Sequence, residues 1–190
     1  MSEPTFSREK ISSRSLSNYN KVVEFHETFE HPIKDHWDHS IFESNPKLIQ
    51  LRIKLIDEEY NEFRTAMNNK DIVEVVDALC DLMYVVNGAG SALGLPMSDE
   101  DFLYPLKMPN EYPDTPRTFF ENGYYVNACR RILANSINSF HSAMNSKNSN
   151  KISNSLIDII HSAYSIARLI DVDLDHAFNL VHVSNMTKAC

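Results

Sequence analysis

Glycine is scarce in this chain. Of 190 residues four are glycine, and three of them, Gly88, Gly90 and Gly94, fall in one short stretch. That shortage argues against hairpin-rich all-β folds, whose tight turns need glycine. It also removes the glycine-rich loops with which dinucleotide folds and P-loops cradle phosphate. Any phosphate chemistry must be done another way. Basic residues are outnumbered, 18 Lys and Arg against 26 Asp and Glu, for a net charge of −8. That sign excludes a binder of nucleic-acid backbones, which needs a basic face. Cysteine is sparse and scattered (Cys80, Cys129, Cys190), with no CxxC pair, a pattern that suits reduced thiols and a cytoplasmic setting. No apolar run approaches the ~18–20 residues of a membrane span. The serine-rich opening lacks the apolar core of a secretory signal, and residues 1–17 read as a disordered tail.

What is present is helical periodicity, so residues 18–190 are expected to form a single all-α domain. Residues 18–31 carry Val22, Val23, Phe25 and Phe29 at amphipathic spacing, ended by Pro32. Asn45-Pro46 reads as an N-cap followed by proline at the first helical position, opening a helix to about Asn68. Asp71 with Glu74 resembles a capping box for the next helix, which Gly94 and Pro96 stop near Leu93. Four prolines make residues 97–116 a linker or ordered loop. Further helices are expected at about 119–145, 152–170 and from Asp173 or Asp175 to Lys188.

The chain repeats itself. A shift of 77 residues lays 55–97 on 132–174 without a gap, matching Asn61, Phe63, Ala66, Met67, Asn68, Lys70, Leu79 and Asp81 with Asn138, Phe140, Ala143, Met144, Asn145, Lys147, Leu156 and Asp158. The break between helices falls at the same place in both copies. Two tandem helical hairpins, a first at 46–95 and a second within 117–190, are therefore expected to pack as a pseudo-dimer.

The carboxylates are unevenly placed. At about 100° per residue, Glu62 lies close to the direction of Leu55 and Glu59 close to that of Leu48, on the stripe that otherwise faces the core. Glu58 flanks it. On the next helix Glu74, Asp77 and Asp81 form a second stripe at i, i+3, i+7. A short connection makes the two helices an antiparallel hairpin, so the stripes can face each other. Facing, partly buried carboxylates repel unless a cation joins them, and an all-oxygen set suits Mg²⁺ or Mn²⁺ rather than zinc. Such an ion would let an acidic protein hold a polyphosphate. Tyr84 and Asn87 continue the same edge and, with Asp81, are candidate contacts to sugar or base. His31, His36 and His39 lie near one another but have no cysteine and span Pro32, which disfavours a zinc site. Trp37 is expected to pack, and Cys80 to sit in the core.

The stretch LIDEEYNEFRTAMNNKDIVEVVDALCDLMYVVNGAGSALGLP resembles the all-α nucleoside triphosphate pyrophosphohydrolase superfamily, which includes MazG-like, phosphoribosyl-ATP pyrophosphohydrolase-like and dimeric dUTPase proteins. Its EExxE and ExxD signature falls on Glu58, Glu59, Glu62, Glu74 and Asp77. The ending VHVSNMTK and the opening VVEFHETFEHP are similar to the phosphoribosyl-ATP branch. The resemblance implies a dimeric or tetrameric helical bundle and Mg²⁺-dependent cleavage of a (deoxy)nucleoside triphosphate into monophosphate and pyrophosphate. It implies Glu59, Glu62, Glu74 and Asp77 as metal ligands, and Glu58 as a ligand or the group that orients the attacking water. Asn185 and Lys188 would contact substrate, Lys188 as a phosphate cation.

Two departures stand out. A long stretch separates the hairpin from the tail, and under the shift the five signature acids meet Asn135, Ser136, Ser139, Lys151 and Asn154. One complete site built from both halves would account for both. The expected activity is nucleotide-pool hydrolysis, with dUTP or a related pyrimidine nucleotide as substrate. The alternatives are phosphoribosyl-ATP hydrolysis or a non-catalytic nucleotide or metal sensor. No nucleic-acid or membrane partner is expected, and a homodimer is.

Overall fold

The computed structural model describes residues 17–97 and 116–188. The expected tail and most of the expected linker lie outside the described residues. Among those described, every regular element is a helix: α1 (Asn18–Thr28), α2 (Ile41–Ser44), α3 (Pro46–Asn69), α4 (Ile72–Leu93), α5 (Pro116–Phe119), α6 (Gly123–Ser146), α7 (Ser149–Leu169) and α8 (Leu174–Thr187). No helix among them is long and apolar enough to cross a membrane.

Local chemistry sets the helix ends. The Asn45 side chain accepts from the Leu48 N–H, with Pro46 at the start of α3. Asp71 accepts from the N–H groups of Val73 and Glu74 and opens α4. Between them Lys70 takes the left-handed conformation that reverses the chain. Three boundaries differ from the sequence reading. α1 stops at Thr28 rather than at 31. A short helix not expected from periodicity, α2, stands between α1 and α3, just after the Asp38 carboxylate accepts from both the N–H and the hydroxyl of Ser40. The helix expected from about 119 begins at Gly123 instead, because Asn122 accepts from the Tyr124 N–H and starts α6 after the single turn of α5.

Gly94 ends α4 at φ +66, and a Cβ there would lie 2.3 Å from the His36 carbonyl oxygen. Gly94→Ala is therefore expected to destabilise the fold by about 3 kcal/mol or more, strain and backbone clash together; equal denaturant midpoints for the two proteins would contradict this.

α3 pairs with α4 and α6 with α7, while α4 meets α7 and α3 meets α6 across the bundle. Adding 77 to the bounds of α3 gives those of α6, and the start of α4 becomes the start of α7. Lys147 repeats the left-handed conformation of Lys70. The buried residues correspond too: Phe63 with Phe140, Met67 with Met144, Leu79 with Leu156, Leu82 with Ile159. α1 and α8 pack on each other and on α4, so α4 is lined on several sides and its acidic edge is framed by α3 and α8.

Candidate active site

α3 and α4 run antiparallel, with Glu59 near Asp81 and Arg52 near Gly88. Glu59 is half-buried, and its Oε2 is enclosed with no hydrogen-bond partner. Burial, and then the charges of Asp81, Glu62, Glu58 and Asp77, push its pKa up to about 7. Burial likewise pushes Asp81 to about 6, helped by Asp77 and Glu62 and opposed by Lys188. The fold thus brings Glu58, Glu59, Glu62, Asp77 and Asp81 into one mutually repelling group, with Lys188 as the cation facing it. Glu62 and Asp77 are on its exposed side, and Glu58 pairs with Lys54 at 3.0 Å. Glu74 lies exposed in the first turn of α4, one helical turn before Asp77. With Asp77 it borders an apolar groove of about 590 Å³ that also touches Val76, Leu180 and Val181. Among the described residues no three His, Cys, Asp or Glu side chains already stand as ligands around one point. The donor chemistry nevertheless fits a hard dication: all oxygens, several charges of one sign, and one enclosed carboxylate oxygen with nothing to bind.

The tail is wired to α4. Lys188 donates to Asn185 Oδ1 at 3.1 Å, and the Asn185 side chain hydrogen-bonds the Tyr84 hydroxyl. Tyr84 Oη lies 3.1 Å from His182 Nδ1, and His182 Nε2 lies 3.4 Å from the Glu24 carboxylate. Glu24 favours a proton on Nε2, so Nδ1 accepts from the tyrosine. The tyrosine oxygen then accepts from the Asn185 amide, whose Oδ1 is left for the lysine. Burial holds the phenol at about 12, so it remains a neutral donor. Its ring stacks on Phe178 at 5.4 Å. The hydroxyl of Tyr84, a candidate contact to sugar or base, is bonded to His182 and Asn185. Asn87 is buried and donates to the Met83 carbonyl at 2.9 Å, leaving its Oδ1 without a partner.

The model of the phosphoribosyl-ATP pyrophosphohydrolase family matches residues 22–100, from α1 through the carboxylate hairpin. An uncharacterized protein, L479 of Acanthamoeba polyphaga mimivirus, is 32% identical over 186 residues, covering 94% of this chain and 74% of that protein. The chain belongs to the all-α nucleoside triphosphate pyrophosphohydrolase superfamily, and residues 22–100 carry its match to the phosphoribosyl-ATP pyrophosphohydrolase family. No solved structure matches it. The family implies hydrolysis of a nucleotide phosphoanhydride, and nothing in it singles out dUTP.

For this pyrophosphohydrolase-like chain the sequence reading missed Glu24 and His182, which secure the tail, and Arg52 with His26 behind the site. His182 lay within the quoted VHVSNMTK, one helical turn before Asn185. Arg52 precedes Glu59 by seven residues, so the face argument that marks Glu59 marks it too. His31 is exposed and stacks on Phe25 at 5.4 Å, and Trp37 packs edge-on against Phe42 at 5.9 Å. Cys80 is buried, its thiol pushed up to about 12 by burial.

Proposed function

We propose that this chain is a Mg²⁺-dependent pyrophosphohydrolase, also served by Mn²⁺, that cleaves a nucleoside triphosphate between its α and β phosphates. The observation that carries this reading is Glu59, an enclosed carboxylate with an unpartnered oxygen amid four other acids. Glu59, Glu62, Asp77 and, after a side-chain or helix-end adjustment, Glu74 would hold the ion. Bound there, Mg²⁺ supplies the charge that accepts a triphosphate and a water acidic enough to attack phosphorus. Glu58 and Glu59 orient that water. Asp81 and Asn87 line the substrate's path, and Lys188, held by Asn185, neutralises phosphate charge from the far side.

The acids come from the first hairpin and the cation from the helix after the second. That division, with the repeated helix boundaries, supports a fused pseudo-dimer in which each half supplies what the other lacks. A homodimer of the whole chain in the cytoplasm completes the proposal. The family match favours a second reading of the substrate, phosphoribosyl-ATP, beside deoxynucleoside triphosphates such as dUTP.

A panel of ribo- and deoxynucleoside triphosphates with phosphoribosyl-ATP, incubated with Mg²⁺, tests the reaction by pyrophosphate release. Release from at least one substrate, lost on chelation, is expected. Folded protein that releases none would leave a nucleotide or metal sensor as the better account.

A further inference from the structure

Arg52 is 5% exposed, its Nε is enclosed without an acceptor, and none of the ion pairs among the described residues involves it. One terminal nitrogen lies 3.3 Å from where a Cβ on Gly88 would stand, and His26 Nε2 lies 2.9 Å from the same point. His26 is turned so that Nδ1 meets the Pro32 carbonyl at 3.1 Å. Burial and the Arg52 charge hold that ring at about 4, hence neutral. The absent side chain at Gly88 lets the guanidinium and the imidazole stand close against α4, where any Cβ would crowd them, and the neutral imidazole adds no second charge.

A buried cation whose Nε finds no acceptor among the described residues is costly to a fold, and an apolar side chain of similar size would serve packing better. A bound ligand would supply the acceptor that the described residues do not. Arg52 sits two turns before Glu59 on the same face of α3, about 10 Å along the axis. A triphosphate held by its phosphates on the carboxylates, with its nucleoside end directed along α3 toward Gly88, would bring that end to the level of Arg52. Phe25 and Tyr84, in edge contact at 5.4 Å, lie between the two levels.

Resting on the function proposed above, we infer that Arg52 is a substrate-binding residue that donates to an acceptor oxygen at the nucleoside end of the substrate, with Gly88 letting it stand close against α4 at that level. Two groups present such an oxygen: a base carbonyl, and the distal phosphate of phosphoribosyl-ATP. Adenine in dATP presents neither.

The test uses the full chain with Arg52→Met and Arg52→Lys. It reads the melting temperature without ligand, and the Mg²⁺-dependent binding of non-hydrolysable α,β-imido forms of dUTP, dGTP and dATP and of phosphoribosyl-ATP. Arg52→Met is expected to melt above the wild type while binding the acceptor-bearing ligand at least tenfold more weakly and the dATP analogue unchanged; Arg52→Lys recovers part of the loss. A loss confined to phosphoribosyl-ATP assigns the distal phosphate, and one shared by the dUTP and dGTP analogues assigns the base carbonyl. A methionine variant that melts lower or does not fold makes Arg52 a structural residue and overturns the inference, as does a stable variant with unchanged binding or an equal loss for every ligand. Wild-type protein that binds no nucleotide removes the functional reading, and this inference with it. Wild-type binding that Arg52→Met leaves intact removes the inference alone.

Discussion

Glu59→Gln is expected to cut pyrophosphate release by about a hundred- to a thousandfold, the usual range for one electrostatic group at a reacting centre, and to make the ligand-free protein more stable at neutral pH. The second half follows from the first. Glu59 titrates at about 7 in the fold against 4.5 for a free side chain. Between those values the folded state holds the extra proton, so the stability Glu59 contributes is present at low pH, declines as pH rises through that window and is absent above it. Asp81 behaves alike between 3.8 and about 6. His26, held at about 4 against a free value of 6.5, works the other way, adding stability as pH rises across that interval. The wild-type curve mixes these effects, and the variant separates them. The melting difference between Glu59→Gln and wild type should be near zero at pH 4.5 and largest above pH 7. A difference that does not change with pH would show that Glu59 is not a strained carboxylate. Mg²⁺ should raise the wild-type melting temperature more at pH 8 than at pH 5, for the same reason.

Lys188→Ala is expected to lower turnover by about a hundredfold, because it removes the cation facing the acids. Tyr84→Phe should cost about tenfold through the same residue, since losing the phenol frees Asn185 and with it the lysine. The double variant decides how Tyr84 acts. If the tyrosine works through the tail, adding Tyr84→Phe to Lys188→Ala changes little. Multiplied losses would mean that Tyr84 touches the substrate itself. The kinetics of all three proteins, with circular dichroism to confirm folding, settle this.

The long helices were readable because their ends are written in side chains that bond the adjacent backbone: Asn45 before Pro46, Asp71 two and three residues before the amides it caps, Gly94 where φ must be positive. α2 and the start of α6 were not, because each follows short-range bonds accepted by one side chain, Asp38 or Asn122, inside a stretch without periodicity. The acidic site was readable on α3, where Glu59 interrupts an apolar stripe. On α4 the i, i+3, i+7 stripe does not reveal how far along the neighbour each acid falls. With Glu59 beside Asp81 and Arg52 beside Gly88, the antiparallel register sets Glu74 at the level of Ala66, one turn beyond Asp77. The tail's wiring was hidden because its partners, Glu24 and Tyr84, come from α1 and α4. No local pattern announces contacts between elements so distant in sequence.

That distance governs the order in which the molecule comes together. α3 and α4 are joined through Lys70 and Asp71 and meet by local closure, whereas α8 reaches α1 through His182 and Glu24 and through a 2.7 Å bond from Asn18 to Asp175. Contacts between neighbours form early, and those between remote segments form late. The hairpin therefore gathers its carboxylates before Lys188 arrives, and for that interval it folds against its own repulsion. Whatever neutralises those acids, a proton or a divalent ion, then acts as an assistant to refolding as well as a participant in the finished site.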